Sequence, residues 1–319
     1  MAPSPDVVRL DTAQSASGPQ IALFIDRNDW HAKQLAAAFS QRGARVVTLR
    51  LSSCGINTRR PAGLVLPGFG PRLPDLAIVR AVGGGTFEAV TLRLGILHAL
   101  EAQGVPVANR ARAIEACVDK SMTSFLLAKN KIATPATWTV QSAQAAAQIV
   151  RAETPRGPLV LKPLFGAQGR GLKLIRRPAD LPVIEAQSGV YYLQRFVGPE
   201  RDHYSDFRVL VSQGEVIAAM ARHAQHWITN VKLGARPVAI ALDADLRDMA
   251  IAAAAAVGAD FAGVDLIRGA DGSLFVIEVN SMPGWRGLQT VIDASIAERM
   301  AEDLLARHAW IGGARELVS

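Results

Sequence analysis

The chain has 319 residues, of which half are hydrophobic and a fifth are charged, which is typical of a globular protein large enough for two or three packed lobes. The formal net charge is +7, but the lysines and arginines are scattered without a run of five like charges. This distribution favours anionic small molecules over nucleic acid as partners.

Several classes of protein are excluded by simple patterns. The two cysteines, Cys54 and Cys117, lack the spacing of a metal site or a disulfide framework. Residues 1–20 form a polar tail without the apolar core of a signal peptide, and no apolar run reaches the length of a membrane-spanning helix. We therefore expect a cytoplasmic protein without a membrane partner.

The first part of the chain, 21–109, predicts a parallel α/β lobe, because strands alternate with helices. Asp29 and Thr86 are placed to cap its two helices, and Gly43 is placed to end the first of them. The predicted elements are strands at 21–25, 44–51, 77–80 and 105–108 and helices at 29–42 and 86–104.

The rest of the chain predicts two further lobes. Residues 110–192 read as a central α+β lobe, with helices at 119–129, 143–152 and 180–187 and strands around Trp138 and at 158–162 and 172–176. Residues 193–319 read as an antiparallel-sheet lobe. Its predicted elements are strands from 191–197, 206–213 and 215–224, a helix at 245–257, a hairpin at 261–280 and a closing helix at 287–307.

The hairpin contains the strongest functional pattern. Asp271-Gly272 is a favoured two-residue turn, and a turn there would pair Asp265 with Glu278 and Gly263 with Asn280 on one face. The other face would carry the core residues Val264, Leu266, Ile277 and Val279.

Two carboxylates opposed in this way, Asp265 and Glu278, lie about 5 Å apart at their Cβ atoms. Their repulsion is about 3 kcal/mol at an effective dielectric constant of about 20, and a cation between them removes it. Carboxylates with the amide oxygen of Asn280 are ligands that suit Mg²⁺ held together with phosphates. The alternative is a pair of surface acids neutralised by a neighbouring arginine.

A glycine-rich loop follows a strand that ends at Lys162. Gly166, Gly169 and Gly171 would let backbone N–H groups approach phosphate oxygens, which Lys162 could also reach. The pattern is neither a Walker A loop nor a Rossmann fingerprint, because a strand follows it. The alternative is an ordinary hairpin loop.

Other candidate residues lie on neighbouring strands. In YYLQRFV, Gln194 offers a polar group beside an apolar strand that could contact an adenine ring. Arg208 shares a strand face with Asp206, and Arg222 lies near the end of the next strand; either arginine could stabilise a transferring phosphoryl group or be a solvated strand residue. The histidines complete no zinc pattern, and tryptophans such as Trp285 are predicted to be packing residues.

In this order, the motifs resemble those of the ATP-grasp superfamily, and specifically its RimK-like ligases, from Ile21 to about Arg307. The quoted matches are VANRARAIEACVDK, FGAQGRG, QRFV, DFR and AGVDLI with VIEVNSMPG. The resemblance implies an ATP-grasp fold with an N-terminal parallel α/β lobe, a central α+β lobe and a C-terminal antiparallel-sheet lobe.

The resemblance also implies the roles of individual residues. The implied nucleotide-binding residues are Lys120, Lys162, Gly166, Gln168, Gly169, Gly171, Gln194, Arg195, Phe196, Val197, Asp206 and Asn230. The implied metal ligands are Asp265, Glu278 and Asn280, the implied catalytic residues are Arg208 and Arg222, and the implied substrate contacts are Arg80, Lys232 and Ser281. The chain departs from the family at Arg195, where an acidic residue is common, and at Ile228, where an arginine is common.

The activity implied is an ATP-dependent carboxylate–amine ligase that forms an amide through an acyl phosphate. ATP and Mg²⁺ or Mn²⁺, as two ions, are the implied cofactors, and a dimer or tetramer is the implied assembly. We expect addition of L-glutamate to a small anionic coenzyme of the tetrahydromethanopterin or methylofuran type. The alternatives are glutamate addition to a ribosomal-protein or carrier-protein tail, and a non-catalytic ATP-binding regulatory protein.

Overall fold

Three sheets, each with its own helices, account for most of the chain in the computed structural model. The structure describes residues 18–166, 169–182, 189–198 and 203–316, with side chains as far as residue 307. Among the described residues, none of the helices combines the length and the apolar character needed to cross a lipid bilayer.

The N-terminal lobe is the predicted parallel α/β unit. Its elements are β1 (Gln20–Phe24), α1 (Trp30–Gln41), β2 (Arg45–Leu49), β3 (Gly55–Ile56), β4 (Leu64–Val65), β5 (Leu76–Val79), α2 (Phe87–Ala102) and β6 (Val107–Ala108). The main sheet has the order β2-β1-β5-β6 with parallel pairs, whereas β3 and β4 form a separate short hairpin that the sequence analysis did not predict.

The predicted helix caps of this lobe are confirmed. The Asp29 carboxylate accepts the N–H of Ala32 at 3.0 Å, and the Thr86 hydroxyl accepts the N–H of Ala89 at 3.3 Å. Each side chain therefore satisfies a backbone donor that the first helical turn leaves free. Gly43 follows α1 with a φ of 80°, a conformation that glycine adopts without strain.

The central lobe contains a four-stranded antiparallel sheet. Its elements are α3 (Ala111–Val118), α4 (Lys120–Lys129), β7 (Thr137–Val140), α5 (Ala143–Glu153), β8 (Leu159–Lys162), β9 (Lys173–Ile175) and β10 (Tyr191–Arg195). The strand order is β7-β10-β8-β9, so β10 lies inside this sheet. A boundary between 192 and 193 would divide β10, and we propose that the lobe extends to Arg195.

In the central lobe one predicted helix is confirmed and another helix was missed. The predicted helix at 119–129 is α4, for which Asp119 is the N-cap, but α3 directly before it was not predicted. Both helices contribute side chains, such as Cys117 and Leu127, to the core of the C-terminal sheet. The structure shows a 3₁₀ turn at Pro178–Asp180, and most of the helix predicted at 180–187 lies outside the described residues, which do not include 183–188.

The C-terminal lobe contains a five-stranded antiparallel sheet with the order β13-β12-β11-β14-β15. Its elements are β11 (Tyr204–Ser212), β12 (Glu215–Ala224), β13 (Arg236–Ala239), α6 (Ala244–Ala256), β14 (Phe261–Arg268), β15 (Leu274–Asn280), α7 (Arg286–Gln289) and α8 (Ile296–Glu316). The small buried alanines of α6 let this helix pack closely on one face of the sheet. The closing helix predicted at 287–307 is two helices, and β13 was not predicted.

One hydrophobic core joins the first and third lobes. It combines side chains of β1 and α1 with residues of β11, β12 and α8, and it includes Trp285, which is 1% exposed. The segment between β15 and α7 is therefore held between the two lobes.

The hairpin of β14 and β15 pairs Asp265 with Glu278 as predicted, but for a different reason. The turn is not the two-residue turn predicted at Asp271-Gly272, because Gly269 donates to Ser273 O at 2.8 Å and residues 269–273 lie between the strands. Leu266 pairs with Val276 while Asp265 pairs with Glu278, so a β-bulge at Ile277 restores the predicted register.

The bulge also corrects the predicted core face. Val276 is fully buried in the position that Ile277 was predicted to occupy, and Ile277 faces the cavity described below. Val264, Leu266 and Val279 are buried as predicted.

Candidate active site

A cleft between the central and C-terminal sheets brings together most of the residues that the sequence analysis singled out. The predicted residues that line it are Lys120, Lys162, Gly166, Gly169, Gln194, Arg195, Phe196, Val197, Asp206, Arg208, Arg222, Asn230, Asp265, Glu278 and Asn280. These residues come from both sheets and from the loops between them, so the cleft depends on how the two lobes pack.

The central sheet supplies a lysine to the cleft. Lys162, at the end of β8, donates to Gln194 Oε1 at 2.7 Å, and the Gln194 amide donates to Tyr192 and Thr137 at 3.1 Å each. Burial lowers the pKa of Lys162 to about 8, and the charge of Glu278 opposes the change. A buried ammonium near neutral pH is suited to an anionic ligand such as a phosphate.

A second lysine contacts the glycine loop. Lys120, the first residue of α4, donates to Gly166 O at 2.8 Å. The two lysines thus reach the cleft from a helix and from a strand, and both lie near the loop that was predicted to cover phosphates.

The C-terminal sheet supplies charged residues from three adjacent strands. Arg208 on β11 pairs with Asp265 on β14 through two hydrogen bonds, one of them 2.6 Å between Nη2 and Oδ2. Arg222 on β12 lies 3.1 Å from Asp265. Although burial alone would raise the pKa of the Asp265 carboxyl, these two guanidinium groups lower it, so the group is ionised.

Arg222 is itself held by Asp206. Its Nε donates to Asp206 Oδ1 at 2.6 Å, and Asp206 also accepts the hydroxyl of Thr229 at 2.5 Å. The arginine and the aspartate are both buried. The buried carboxylates of Asp206 and Asp265 therefore compensate the buried arginine charges, which is the condition for keeping such charges away from water.

The predicted metal ligands lie together at the end of the hairpin. Asp265 and Glu278 are direct partners across β14 and β15, and Asn280 follows two residues later on the same strand and also lines the cleft. Two carboxylates and an amide oxygen form a hard donor set that fits Mg²⁺ or Mn²⁺. In the part of the chain that the structure describes, no group of three or more His, Cys, Asp or Glu side chains could hold a metal by itself.

The glycine loop is closely packed at its far end. Gly169 has a φ of 71°, and a Cβ there would lie 2.7 Å from Ile228 Cγ2. Gly171 does not line the cleft; it has a φ of 73°, and a Cβ there would lie 2.8 Å from Pro163 Cγ. Gln168, which was predicted to contact the nucleotide, lies outside the described residues.

The side chain of Arg195 binds Glu153 of α5. Its Nη2 donates to Glu153 Oε2 at 2.5 Å, and its Nη1 donates to the Glu153 carbonyl oxygen at 3.1 Å. This ion pair holds the end of β10 against α5. The structure therefore gives the guanidinium of Arg195 a partner within the central lobe, and only its backbone remains for the predicted nucleotide contact.

The three predicted substrate residues do not line the cleft. Arg80 lies beside the segment that follows β15, where it donates to Pro283 O at 2.7 Å. Ser281 is buried and Lys232 belongs to a 3₁₀ turn, Val231–Leu233, whose start is capped by the Asn230 side chain.

Several residues near the site were not predicted. Thr229 binds Asp206, and Tyr192 and Thr137 orient Gln194. Trp227 and Ile277 line the cleft. The bulge that turns Ile277 toward the cleft has no glycine or other local signal, so sequence patterns gave no means of finding it.

Comparisons with known proteins show which proteins this chain is similar to. Residues 117–304 match the model of the RimK-like ATP-grasp domain. The chain is similar to the tetrahydromethanopterin:alpha-L-glutamate ligase of Methanosarcina acetivorans, with 33% identity across 88% of this chain and 96% of that protein. A ligase of the same name from Methanococcus maripaludis is 35% identical across 72% of this chain and 78% of that protein.

Other relatives have different substrates in their names. The ribosomal protein bS6–L-glutamate ligase of Salmonella paratyphi B is 32% identical across 90% of this chain and 95% of that protein. Among solved structures, the ATP-grasp ligase PsnB with its minimal precursor is similar in fold, with a TM-score of 0.70, 20% identity and coverage of 90% of this chain and 98% of that one.

Proposed function

This chain belongs to the RimK-like ATP-grasp family of glutamate ligases, and from that premise we propose that it is an ATP-dependent carboxylate–amine ligase that adds L-glutamate to a small anionic coenzyme. The observation that carries the proposal is the cleft in which Lys120 and Lys162 lie opposite the acids of the β14–β15 hairpin. A nucleotide triphosphate and its metal ion need this combination of cations and hard oxygen donors.

The two lysines and the glycine loop would bind the phosphates. Lys162 supplies a buried positive charge, and Lys120 exchanges its present acceptor, the Gly166 carbonyl, for a phosphate oxygen. The loop N–H groups near Gly169 would cover the same phosphates and exclude water, which protects an acyl phosphate from hydrolysis. Gln194 and the backbone of Arg195, Phe196 and Val197 would border the adenine ring.

Asp265, Glu278 and Asn280 would hold the divalent ions, for which we propose two Mg²⁺. A divalent ion there neutralises charge on the phosphates during transfer. Arg208 and Arg222 remain positively charged beside Asp265 and Asp206, so they are placed to stabilise the negative charge of the acyl phosphate.

The proposed acceptor is a small acid of the tetrahydromethanopterin or methylofuran type. The support is the similarity to tetrahydromethanopterin:alpha-L-glutamate ligases, two of which reach 33% and 35% identity. The proposed contacts to acceptor and amino acid are Arg80, Lys232 and Ser281. A protein tail is the second candidate acceptor, because a bS6 ligase is 32% identical over 90% of this chain.

A regulatory ATP-binding protein without catalysis is disfavoured by the intact set of polar residues. Both lysines, both arginines and all three oxygen donors for a metal line one cleft. We also propose a homo-oligomer, a dimer or tetramer. Light scattering of the purified protein would test the assembly, and a monomer at micromolar concentration would contradict it.

Turnover measurements test the proposed ligase function. The full chain is incubated with ATP, Mg²⁺, L-glutamate and a panel of acids that includes pterin and furan coenzymes and a glutamate-terminated peptide. ADP release is followed together with the product mass. We expect ADP and a glutamylated product with one class of acid, loss of both in Glu278→Ala, and unchanged rates in the exposed control Glu302→Ala. ADP release by Glu278→Ala at the wild-type rate would contradict the assignment.

A further inference from the structure

Three buried N–H donors without a partner lie together outside the main cleft. They are Nε and Nη1 of Arg80 and Nε1 of Trp285, and none of the described residues accepts a hydrogen bond from them. The two side chains are in direct contact, because Arg80 Cζ lies 4.7 Å from the centre of the Trp285 ring. Buried donors that lack an acceptor destabilise a protein, so this cluster indicates that an acceptor binds here.

The cluster combines residues of the N-terminal and C-terminal lobes. Arg80 follows β5 of the N-terminal lobe, and its Nη2 donates to Pro283 O at 2.7 Å. Pro283 packs against Gly263 of β14, where a Cβ would lie 2.7 Å from the proline Cβ. Because Gly263 pairs with Asn280, the cluster adjoins the end of the hairpin that carries the proposed metal ligands.

His31 positions the tryptophan. Its Nε2 accepts the backbone N–H of Trp285 at 3.1 Å, and its Nδ1 lies 3.4 Å from Asp29 Oδ2. An acceptor role for Nε2 requires the proton on Nδ1, so Asp29 is the partner that selects this tautomer. Burial and the neighbouring charge of Arg80 lower the pKa of His31, which agrees with a neutral ring.

The charges around the cluster leave a positive excess. Arg80 and Lys232 both act on His31, and Asp29 is the acid that opposes them. The Asp29 side chain is 58% exposed and its carboxylate already caps α1. A fork of guanidinium donors, a neighbouring indole N–H and a surplus positive charge together select a planar anion with two acceptor oxygens.

We propose that Arg80 and Trp285 form a carboxylate-binding subsite that holds the amino acid added by the ligase, with His31 as its positioning residue. This inference rests on the proposed function, since it assigns one substrate of that reaction to a place beside the metal ligands. The nitrogen atoms are shielded from solvent here. The proposed subsite therefore requires that segment 283–285 shift relative to the N-terminal lobe to admit a carboxylate.

Calorimetric titration of the full chain tests the subsite. The protein is first saturated with Mg²⁺ and a non-hydrolysable ATP analogue, and then titrated with L-glutamate, with its α-amide, with its γ-amide glutamine and with glutarate, which lacks the amine. The variants are Arg80→Lys, which keeps the charge but not the fork, and Trp285→Phe, which keeps a ring but not the N–H. Trp30→Phe is the matched control, because Trp30 packs on the Trp285 ring in the same aromatic cluster.

We expect L-glutamate to bind at least tenfold more weakly to Arg80→Lys and about threefold more weakly to Trp285→Phe, while Trp30→Phe and the affinity for the ATP analogue stay within twofold. We expect the wild-type protein to bind one of the two amides more weakly than L-glutamate, by the same factor that Arg80→Lys weakens glutamate binding. The amide that binds weakly identifies which carboxylate of glutamate contacts the subsite. Unchanged glutamate affinity in both variants would overturn the subsite. Weakening for glutarate with no effect on glutamate would overturn its assignment to the amino acid and place the acceptor acid there.

His31→Gln tests the positioning role, because its amide can accept the Trp285 N–H. We expect this variant to retain glutamate affinity within threefold and His31→Ala to lose about tenfold, with the ATP analogue bound equally by both. Equal losses in the two variants would contradict the positioning role. If the ATP analogue binds no form of the protein, the proposed function itself fails, and that outcome is separate from a failure of the subsite.

Discussion

Arg208 and Asp265 are direct partners across β11 and β14 and form a two-hydrogen-bond ion pair at the place where Asp265 is proposed to bind a metal. Arg222 reaches the same carboxylate from the next strand, at 3.1 Å. Asp265 therefore takes part in two interactions, because it compensates the charges of the two arginines and also faces Glu278 across the hairpin. A metal ion at this corner would compete with Arg208 for the carboxylate and free that arginine for a phosphoryl group.

The two proposed metal ligands should differ in their effect on stability. Asp265→Asn leaves two buried guanidinium groups without their shared counter-charge, and we expect the free energy of unfolding to fall by about 3 kcal/mol. No ion pair of Glu278 is found within the described ranges, so Glu278→Gln should change the free energy of unfolding by less than about 1 kcal/mol. Urea unfolding in the absence of metal measures the free energy of unfolding of both variants. Equal losses would contradict the ion-pair role of Asp265, whereas both variants should lose ligase turnover.

The hairpin shows what sequence patterns could predict and where they stopped. Alternating residues placed Asp265, Glu278 and Asn280 on one face, and the structure brings these side chains to one cleft. The predicted two-residue turn at Asp271-Gly272 was wrong, because residues 269–273 lie between the strands and shift the adjacent strand pairing by one residue. The bulge at Ile277 compensates for this shift. A bulge depends on the packing of a whole sheet, so a two-residue turn rule does not contain it.

The lowered pKa of Lys162 predicts that nucleotide binding depends on pH. Its pKa is lowered to about 8 by burial, so the ammonium is charged at pH 7 and largely neutral at pH 9. If the charged form binds the phosphates, the dissociation constant of a non-hydrolysable ATP analogue should rise up to about tenfold between pH 7 and pH 9. Fluorescence or calorimetric titration across this range measures it.

Lys162→Met is the control for this effect. We expect it to bind the analogue weakly, with a dissociation constant that stays constant within about twofold from pH 7 to pH 9, because the titrating group has been removed. A wild-type affinity that is independent of pH in this window would contradict a role for the Lys162 charge.

Local sequence patterns did not predict which side chains contact each other when the lobes and elements pack together. The structure brings most of the residues predicted to bind nucleotide and metal to one cleft, although Gly171 does not line it and Gln168 lies outside the described residues. Arg80, Ser281 and Lys232 were assigned to the substrate together, yet none lines that cleft. Arg195 was assigned to the nucleotide, but its guanidinium binds Glu153, which is 42 residues away in the chain. Such partners follow from tertiary packing and not from spacing along a strand.

Gly169 should couple the glycine loop to the segment that includes Ile228. Gly169→Ala meets a positive φ of 71° and places a Cβ 2.7 Å from Ile228 Cγ2. We expect the KM for ATP to rise about tenfold, which corresponds to strain of about 1–2 kcal/mol. Steady-state kinetics of ADP release measures it.

The double variant Gly169→Ala with Ile228→Ala separates the two causes. Removing Ile228 Cγ2 relieves the clash but leaves the backbone strain, so part of the loss should be recovered. Gly189→Ala is the matched control, because Gly189 has a φ of 81° with no atom within 4 Å of an added Cβ. An unchanged KM in Gly169→Ala would show that the loop does not depend on this contact.

Asn109 joins the N-terminal lobe to the first residue of β14 and to the residue that follows β15. We expect Asn109→Ala to lower the free energy of unfolding by about 3 kcal/mol. Its buried amide accepts the N–H of Phe261 at 2.8 Å and donates to the carbonyl oxygens of Phe261 and Ser281 at 2.5 and 2.6 Å. Each buried hydrogen bond contributes about 1 kcal/mol, and Asn109→Ala loses all three. Asn109→Asp should be no more stable than Asn109→Ala, because a carboxylate would face two carbonyl oxygens.

The exposed control Asn130→Ala, whose amide donates to Leu126 O at 2.8 Å, should lose less than about 1 kcal/mol. Urea unfolding of the three variants decides the matter, and a loss in Asn109→Ala no larger than in the control would show that the lobes are held together without this amide.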